Sequence, residues 1–254
     1  MFKLLTGFIY RVGDIGNFFL STVILAIKGP YHVSEWIRVM NSLGWRCLLP
    51  VLFVVGPMGA AVALQGMKIL NMFGTESLLS SMLSITILRE ISPVMASMMV
   101  ASQAGSSIAA ELGAMRVKEE IDALEVMAIN PIQRLVVPRL LAGLIITPLL
   151  NAVSSAVGLL GGYLVAIPIK GMNLGVFMEN LYIMVSVEDL TIGLIKTSVF
   201  GLTITTIACY YGYNVTGGAA GVGKATNKTV VYSAVMVLLL NYFFSSIYYG
   251  KIVG

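Results

Sequence analysis

The chain has 254 residues, of which 57% are hydrophobic and only 11% are charged. A soluble domain carries roughly 25% charged residues, so this composition argues against an ordinary soluble domain and favours lipid as the main solvent. The net charge of +4 comes from loop residues, and no cluster of basic and aromatic residues supports nucleic-acid binding.

The first 28 residues mix apolar and charged side chains. Arg11 and Asp14 interrupt the apolar core that a signal peptide would need, so we predict an amphipathic helix lying in the membrane interface. A break near His32, the only histidine, precedes a second short helix. We therefore assign residues 1–45 to interfacial and elbow helices and give His32 no chemical role.

Five runs without any charge follow along the chain, and each is long enough for a membrane span, which needs about 20 apolar residues. The runs are 47–67, 91–110, 140–169, 197–223 and 229–250. They predict an all-α integral membrane protein with one membrane domain over 1–254. The predicted spans are 47–75, 77–110, 140–169, 191–215 and 229–250.

Small residues in two of these spans predict close helix packing. Span 1 contains Gly56 and Gly59 around Pro57, which also suggests a kink, and span 3 contains Gly158 and Gly162. Cys47 and Cys209 fall in apolar runs with no metal-ligand or disulfide spacing, so we expect buried thiols and no metal site.

The distribution of Lys and Arg among the short loops predicts the orientation. One side collects most of the basic residues, which lie before span 1, between spans 2 and 3, and between spans 4 and 5. We expect that side to be cytoplasmic, with the amino terminus inside and the carboxyl terminus outside. Residues 171–190 then form an external segment with a helix on the outer surface.

The segment 111–134 holds eight of the 28 charged residues. From Val117 onward, Ile121 and Leu124 continue an apolar stripe, with Met127 beside it, which predicts an amphipathic helix ending before Pro131.

On the polar face of this helix, Lys118 is spaced to pair with Asp122. A solvated loop and a docking element for a cytoplasmic partner both fit the pattern. The short helix and its uncovered apolar stripe favour docking.

Residues 218–226, GAAGVGKAT, nearly spell a phosphate-binding loop. Ala225 stands where the magnesium-binding hydroxyl belongs, and no βαβ pattern surrounds the segment. We therefore expect that this chain binds no nucleotide or other cofactor, and that a separate subunit hydrolyses any ATP.

Arg89 and Glu90 interrupt the apolar sequence of span 2, either in its outer half or at its outer end, and Lys196 opens span 4 from the same side. The side chains of consecutive residues on a helix point about 100° apart, so Arg89 and Glu90 are poorly placed to pair with each other. A helix anchor and a polar cavity are both possible, and the cost of charges at this depth favours the cavity. No two carboxylates pair within the spans, which argues against an ion-coupled transporter.

The block from Leu88 to Arg139, LREISPVMASMMVASQAGSSIAAELGAMRVKEEIDALEVMAINPIQRLVVPR, resembles the MlaE family of ABC-transporter permeases. ALQG before it and GVGKATNKTVV after it strengthen the resemblance, which covers roughly residues 50–231. It implies a transport subunit without catalytic residues in the inner membrane, where the family contributes to outer-membrane lipid asymmetry. It also implies a homodimer, a cytoplasmic ABC ATPase that binds ATP and magnesium, a periplasmic MCE-domain protein, phospholipid and, in some systems, a STAS-domain protein.

The resemblance also implies site residues. The lipid cavity between two protomers would be lined by Val62, Gln65, Leu70, Phe73, Arg89, Glu90 and Ile91, with Lys196 near its mouth. The coupling helix, 111–130, would bind the ATPase through Glu111, Arg116, Glu119, Glu120, Asp122, Leu124, Glu125 and Met127.

Two positions depart from the pattern of the family. Gln103 stands where relatives often have Arg, and Asn241 stands where they often have Asp. The two changes either offset each other in charge or alter headgroup preference. A secondary transporter or channel working alone, and a membrane scaffold, are the alternatives to the permease function.

Overall fold

A computed structural model describes residues 2–29, 33–248 and 250, without the side chains of 2–12, 28 and 33. The predicted break at His32 and the predicted carboxyl-terminal end at Gly254 lie outside the described residues. Every regular element in the described part of the chain is helical, which confirms the all-α prediction.

Ten α-helices and several short 3₁₀ or π turns follow one another in the described residues. The first part of the chain contains α1 (Phe2–Lys28), α2 (Val33–Met72), a 3₁₀ turn (Glu76–Leu78), α3 (Leu79–Thr86), a π turn (Ile87–Ile91), α4 (Ser92–Val100), a second π turn (Ala101–Gly105) and α5 (Ser106–Val117). The second part contains α6 (Glu120–Val126), a π turn (Ile132–Val136), α7 (Val137–Ala166), α8 (Leu174–Met184), α9 (Val187–Tyr213) and α10 (Gly218–Tyr248).

Five stretches of helix are long and apolar enough to cross a membrane, as the sequence predicted. They are Ser34–Met72, Glu76–Val117, Ile132–Ala166, Val187–Tyr213 and Gly218–Tyr248, here called spans 1 to 5. The protein is therefore a multi-pass membrane protein.

The observed spans differ in their bounds from the predicted ones. The end of the region predicted as interfacial and elbow helices, residues 1–45, is continuous with span 1, because α2 begins at Val33 and runs to Met72. Residues 218–226, predicted as a loop, form the first turns of α10. The charge-free runs are shorter than the observed helices, because a helix continues past charged residues whose side chains reach water or a partner.

Spans 1 and 3 touch through their backbones. A β-carbon added at Gly59 would overlap the carbonyl oxygen of Gly158, and one added at Gly161 would overlap that of Gly56. Only glycine allows two helices to approach this closely, so the predicted close packing of these spans is confirmed. Gly162 lies instead against Leu83 of α3.

Helix α9 lies at the centre of the protein and packs against α7, α5 and α10. The main core cluster contains Phe200 and Ile204 of this helix together with Val100 and Leu112 of span 2. Cys47 and Cys209 belong to the same cluster as buried free thiols.

Helix α8 lies in the predicted surface segment, between spans 3 and 4, and packs on α3. The side chain of Asn173 accepts hydrogen bonds from the backbone amides of Gly175 and Val176 and so caps its first turn.

Candidate functional site: a buried charge cluster and an exposed charged loop

Arg89 lies in the π turn Ile87–Ile91 and makes a two-point ion pair with Asp189 at the start of α9. Its Nε atom lies 2.8 Å from Asp189 Oδ1, and its Nη2 atom donates to Asp189 Oδ2 at 3.2 Å. Ser186 Oγ donates to Asp189 Oδ2 at 2.9 Å and accepts from the Asp189 amide at 3.1 Å. The carboxylate is buried and is thus held by a guanidinium and a helix cap together.

Glu90 faces a different set of partners. Asn241 Nδ2 and Ser245 Oγ of α10 each donate to its carboxylate at 2.7 Å. Lys196 Nζ lies 3.7 Å from the same carboxylate and donates to Ser245 Oγ at 3.1 Å. We call Arg89, Glu90, Asp189, Lys196, Asn241 and Ser245 the Arg89 cluster.

Lys196 has one more partner, the backbone carbonyl of Arg89, which a proline leaves free to accept. Pro93 has no amide hydrogen, so the carbonyl of Arg89, four residues earlier, cannot accept the usual helical bond. Lys196 Nζ donates to that carbonyl oxygen at 3.0 Å. A backbone group that would otherwise be unsatisfied inside the membrane is bonded in this way.

The Arg89 cluster contains two cations and two anions, and its formal charge is therefore zero. Arg89 and Glu90 bond to other residues, as their adjacent positions on the helix predicted. Lys196, which was predicted near the mouth of a cavity, is fully buried in this chain, and its ammonium bonds to residues of the same chain. The cluster joins spans 2, 4 and 5.

Of the other predicted lipid-contact residues, Ile91 follows Glu90 in the same π turn, and the rest lie on or just after α2. Val62, Gln65 and Leu70 lie on the second half of α2, and Phe73 follows its last residue. Gln65 is exposed, and Phe73 is 74% exposed. Val62, Leu70 and Ile91 are half-buried. The structure thus groups Arg89, Glu90 and Lys196 in one network and places the α2 residues on a different helix.

At the opposite end of span 2, Glu111 is held by two other spans. Arg46 of α2 and Arg139 of α7 each approach its carboxylate at 3.4 Å, and Ser107 donates to it at 3.0 Å. Arg46 also hydrogen-bonds Ser107. Glu111 lies within α5 and ties the ends of three spans together, so this predicted coupling residue has intramolecular partners.

The predicted single helix over 111–130 is interrupted. Helix α5 ends at Val117, Glu119 adopts a left-handed backbone with φ of 59°, and α6 covers only Glu120–Val126. A second left-handed residue, Ala128, follows α6. The apolar pattern had the spacing of one continuous helix, but the chain turns sharply at Lys118–Glu119. We call residues 116–130, from the last turn of α5 to Asn130, the charged loop.

The turn changes the predicted ion pairs and the predicted end of the helix. Asp122 pairs with Arg116 at 2.6 Å rather than with Lys118, which approaches Glu120 at 3.9 Å. The helix ends four residues before Asn130, whose side chain instead accepts from the amides of Ile132 and Gln133 and caps the next helix.

Tyr213 of α9 attaches the charged loop to the membrane helices. Its hydroxyl donates to Glu125 Oε1 at 3.3 Å, and the Arg116 guanidinium lies 5.8 Å from the centre of its ring. Beside this contact lies a hollow of about 430 Å³, lined by Glu125, residues 128–132 and Tyr213.

The exposed surface of the charged loop differs from the predicted stripe. Ile121 is fully buried within the chain and Leu124 is half-buried, whereas Val126 is 88% and Met127 61% exposed. Glu119, Glu120 and Glu125 are also exposed. The apolar surface left uncovered is formed by Val126, which was not in the predicted stripe, together with Val117 and Met127, which were, and by Ile129.

The sequence reasoning missed several residues of these sites. Asp189 and Ser186 had a recognisable signal, because Ser-x-x-Asp before an apolar run marks the first turn of a helix. Pro93 signalled a free carbonyl at Arg89. Ser245, Arg46 and Arg139 gave no local signal, because their partners lie 155, 65 and 28 positions away.

The family described as Permease MlaE matches residues 36–247, which contain almost all of the five spans. This defines the class of the protein: it is a membrane permease, a transport subunit rather than an enzyme.

Three relatives agree with this class. A probable ABC transporter permease protein of Rickettsia felis is 35% identical over 95% of this chain and 93% of its own length. The intermembrane phospholipid transport system permease protein MlaE of Haemophilus influenzae is 32% identical over 98% of this chain and 95% of its own. The chloroplastic protein TRIGALACTOSYLDIACYLGLYCEROL 1 of Arabidopsis thaliana is 32% identical over 90% of this chain and 65% of its own length. The chain belongs to the MlaE permease family.

Proposed function

We propose that the protein is the membrane subunit of an ATP-driven phospholipid transporter. The observation that carries this proposal is the 32% identity, over 98% of the chain, to the intermembrane phospholipid transport permease of Haemophilus influenzae. In this proposal the subunit lies in the inner membrane as a homodimer and exchanges phospholipid with a periplasmic MCE-domain protein. A STAS-domain protein, which is a partner in some systems of the family, is a candidate partner here, and the transport contributes to outer-membrane lipid asymmetry.

A cytoplasmic ABC ATPase, which carries the ATP and magnesium, would bind the charged loop. The exposed side chains of Val126 and Met127 support this, because large apolar groups in water next to carboxylates are typical of a docking surface. The seven-residue helix α6 is too short to be stable alone, so a partner would stabilise it.

The docking proposal is tested by co-purification of the transporter from its source membranes. Met127→Asp should remove the ATPase from the complex, whereas Ile169→Asp, at an equally exposed position at the other end of span 3, should retain it. Full retention of the ATPase by Met127→Asp would rule out this docking surface. A native mass spectrum of the wild-type complex would report the two protomers and the partner subunits.

The lipid path would run between two protomers beside the Arg89 cluster. The guanidinium of Arg89 is planar and can hold a phosphate by two hydrogen bonds, as it now holds Asp189. Exposed Phe73 and half-buried Leu70 could contact acyl chains. Asp189 and a headgroup phosphate would then compete for one guanidinium.

This competition predicts opposite changes in bound phospholipid when Arg89 and Asp189 are substituted separately. Arg89→Ala should lower the phospholipid that co-purifies by about ten- to a hundredfold, since a charge-assisted hydrogen bond contributes about 1.5–3 kcal/mol. Asp189→Asn should raise it, because the guanidinium is released while the Ser186 cap can remain. A loss of lipid in both variants would mean that the pair is structural and does not bind the headgroup.

The proposed orientation places the charged loop in the cytoplasm and the carboxyl terminus in the periplasm. The excess of Lys and Arg on one side supports it. A single cysteine at Lys224, in a chain without Cys47 and Cys209, should not react with an impermeant reagent in intact cells. Reaction of that cysteine would show that the orientation is opposite to the proposed one.

A further inference from the structure

A crevice of about 390 Å³ lies between α1, α9 and α10, away from the Arg89 cluster and the charged loop. Nearly all of its wall is apolar, and no residue of the two charged sites lines it. Its lining residues are Ile15, Gly16 and Phe19 of α1, Val199, Leu202, Thr203, Thr206, Ile207 and Tyr211 of α9, and Tyr232 and Met236 of α10.

The two threonines do not make the crevice polar. Thr203 Oγ1 donates to the carbonyl of Val199 at 2.8 Å, and Thr206 Oγ1 donates to that of Leu202 at 2.7 Å. With both hydroxyl hydrogens used within α9, the wall offers little to hold water or a polar ligand. An apolar occupant is therefore favoured.

One end of the crevice has an aromatic and cationic rim. The rings of Tyr211 and Tyr232 stack with their centres 5.5 Å apart, and Lys228 Nζ lies 6.0 Å from the centre of the Tyr211 ring. Lys228 is exposed, and no carboxylate among the described residues lies within 4.0 Å of it. Tyr side chains gather at headgroup depth in membrane proteins, and an ammonium there attracts an anionic headgroup.

The length of the crevice matches one leaflet. Val199 and Tyr211 mark its two ends along α9. At a rise of about 1.5 Å per residue they lie roughly 18 Å apart, and half of a hydrocarbon core of about 30 Å is roughly 15 Å. An acyl chain whose headgroup lies at the tyrosine rim would extend along the crevice towards the middle of the membrane.

We propose that this crevice binds one acyl chain of an anionic phospholipid, with the phosphate beside Lys228 and the tyrosine pair. This lipid is a resident of the protomer and joins the amino-terminal helix α1 to spans 4 and 5. The site is formed within one chain and shares no residue with the transport path proposed above, so it can be tested separately.

Two glycines of α1 provide a matched test of the tail site. A β-carbon added at Gly16 or at Gly13 meets no atom within 4 Å, but only Gly16 lines the crevice. Both Gly→Leu changes favour helix formation, so neither should unfold α1.

The purified full chain in nanodiscs would be labelled with a phosphatidylglycerol that carries a photoreactive diazirine near the end of one acyl chain. The adducts would be mapped by mass spectrometry. In the wild type we expect adducts within α9 at 199–207. Gly16→Leu should reduce them by about tenfold or more, because leucine excludes several methylene groups of the lipid. Gly13→Leu should leave them unchanged. Equal labelling of both variants, or crosslinks to a second protomer at these residues, would overturn the site.

The headgroup end is tested by charge. Lys228→Gln should reduce labelling by phosphatidylglycerol by about fivefold, the effect of one basic residue near an anionic surface. Lys170→Gln is the control. It removes the same charge from an exposed position after span 3, away from the crevice, and should have no effect. If wild-type protein takes a matched phosphatidylcholine probe as well as phosphatidylglycerol, the preference for an anionic headgroup is wrong.

Discussion

The Arg89 cluster, within span 2, and the charged loop, at the end of span 2, carry similar numbers of charges but hold them differently. In the Arg89 cluster, Lys196 and Asp189 are buried, and every charged side chain has a partner on another span. In the charged loop, Arg116 and Asp122 pair at a half-exposed position, while Glu119 projects into solvent beside exposed apolar groups.

This contrast separates a region that contributes strongly to stability from one that contributes little. Burying a charge without a partner is costly, so the members of the Arg89 cluster depend on one another. Exposed ion pairs contribute little to stability, so the charged loop is free to bind something else. We therefore expect the free energy of unfolding to respond strongly at the first region and weakly at the second.

The largest effect is expected at Lys196. Lys196→Ala removes the ammonium that bonds the Arg89 carbonyl and Ser245, and it leaves Glu90 without a nearby cation. Stability in detergent should fall by about 3–5 kcal/mol, because two charge-assisted hydrogen bonds of about 1.5–3 kcal/mol each are lost. The contact with Glu90 adds little, since that carboxylate is 43% exposed. Thermal unfolding measures it, with Lys170→Ala as the exposed control. A change as small as that of the control would show that the network adds no stability.

A smaller loss is expected for the Arg89–Asp189 pair, because Arg89 is partly exposed. Arg89→Ala should cost about 2–3 kcal/mol, since the buried carboxylate loses its charge-assisted bonds. A double-mutant cycle with Asp189→Ala isolates the coupling between them. Strictly additive effects would mean that the two residues stabilise the protein independently.

Asn241→Asp should have a moderate effect. It replaces the amide that donates to Glu90 with a second carboxylate, and the nearby Lys196 offsets part of the repulsion. We expect a loss of about 1 kcal/mol in unfolding free energy, the contribution of one hydrogen bond. Asn227→Asp, at an exposed position on the same helix, is the control. An increase in stability would show that Lys196 can balance two carboxylates.

The smallest effect is expected in the charged loop. Arg116 and Asp122 are 35% and 50% exposed, so Arg116→Ala should lower stability by less than about 1 kcal/mol. The same thermal measurement applies. A loss as large as that for Lys196→Ala would remove the distinction between the two regions.

The five spans could be predicted because each contains an uncharged apolar run of about 20 residues or more, the length that a helix needs to cross the membrane. Their ends could not be predicted from those runs. Helix α2 begins at Val33 and includes Arg46, which forms an ion pair with Glu111 of another span. Whether a charge ends a helix depends on partners that are remote in sequence.

The Arg89 cluster was only half predictable for the same reason. The cost of charge in lipid drew attention to Arg89, Glu90 and Lys196. Their partners Asp189 and Asn241 lie 100 and 151 positions from the residues they bond, so only the packed structure brings them together. In the charged loop, the periodicity could not reveal the left-handed turn at Glu119, because glutamate is not a residue that signals such a turn.

The glycine contacts between spans 1 and 3 have a mechanical consequence. With the backbone of Gly59 against Gly158 and that of Gly161 against Gly56, there are no intervening side chains whose rotamers could absorb a sliding movement. Spans 1 and 3 should therefore move as one rigid body during a transport cycle. Span 5, the least buried of the five within the chain, has the fewest neighbours to restrain it and is the element on which we expect a hinge to act.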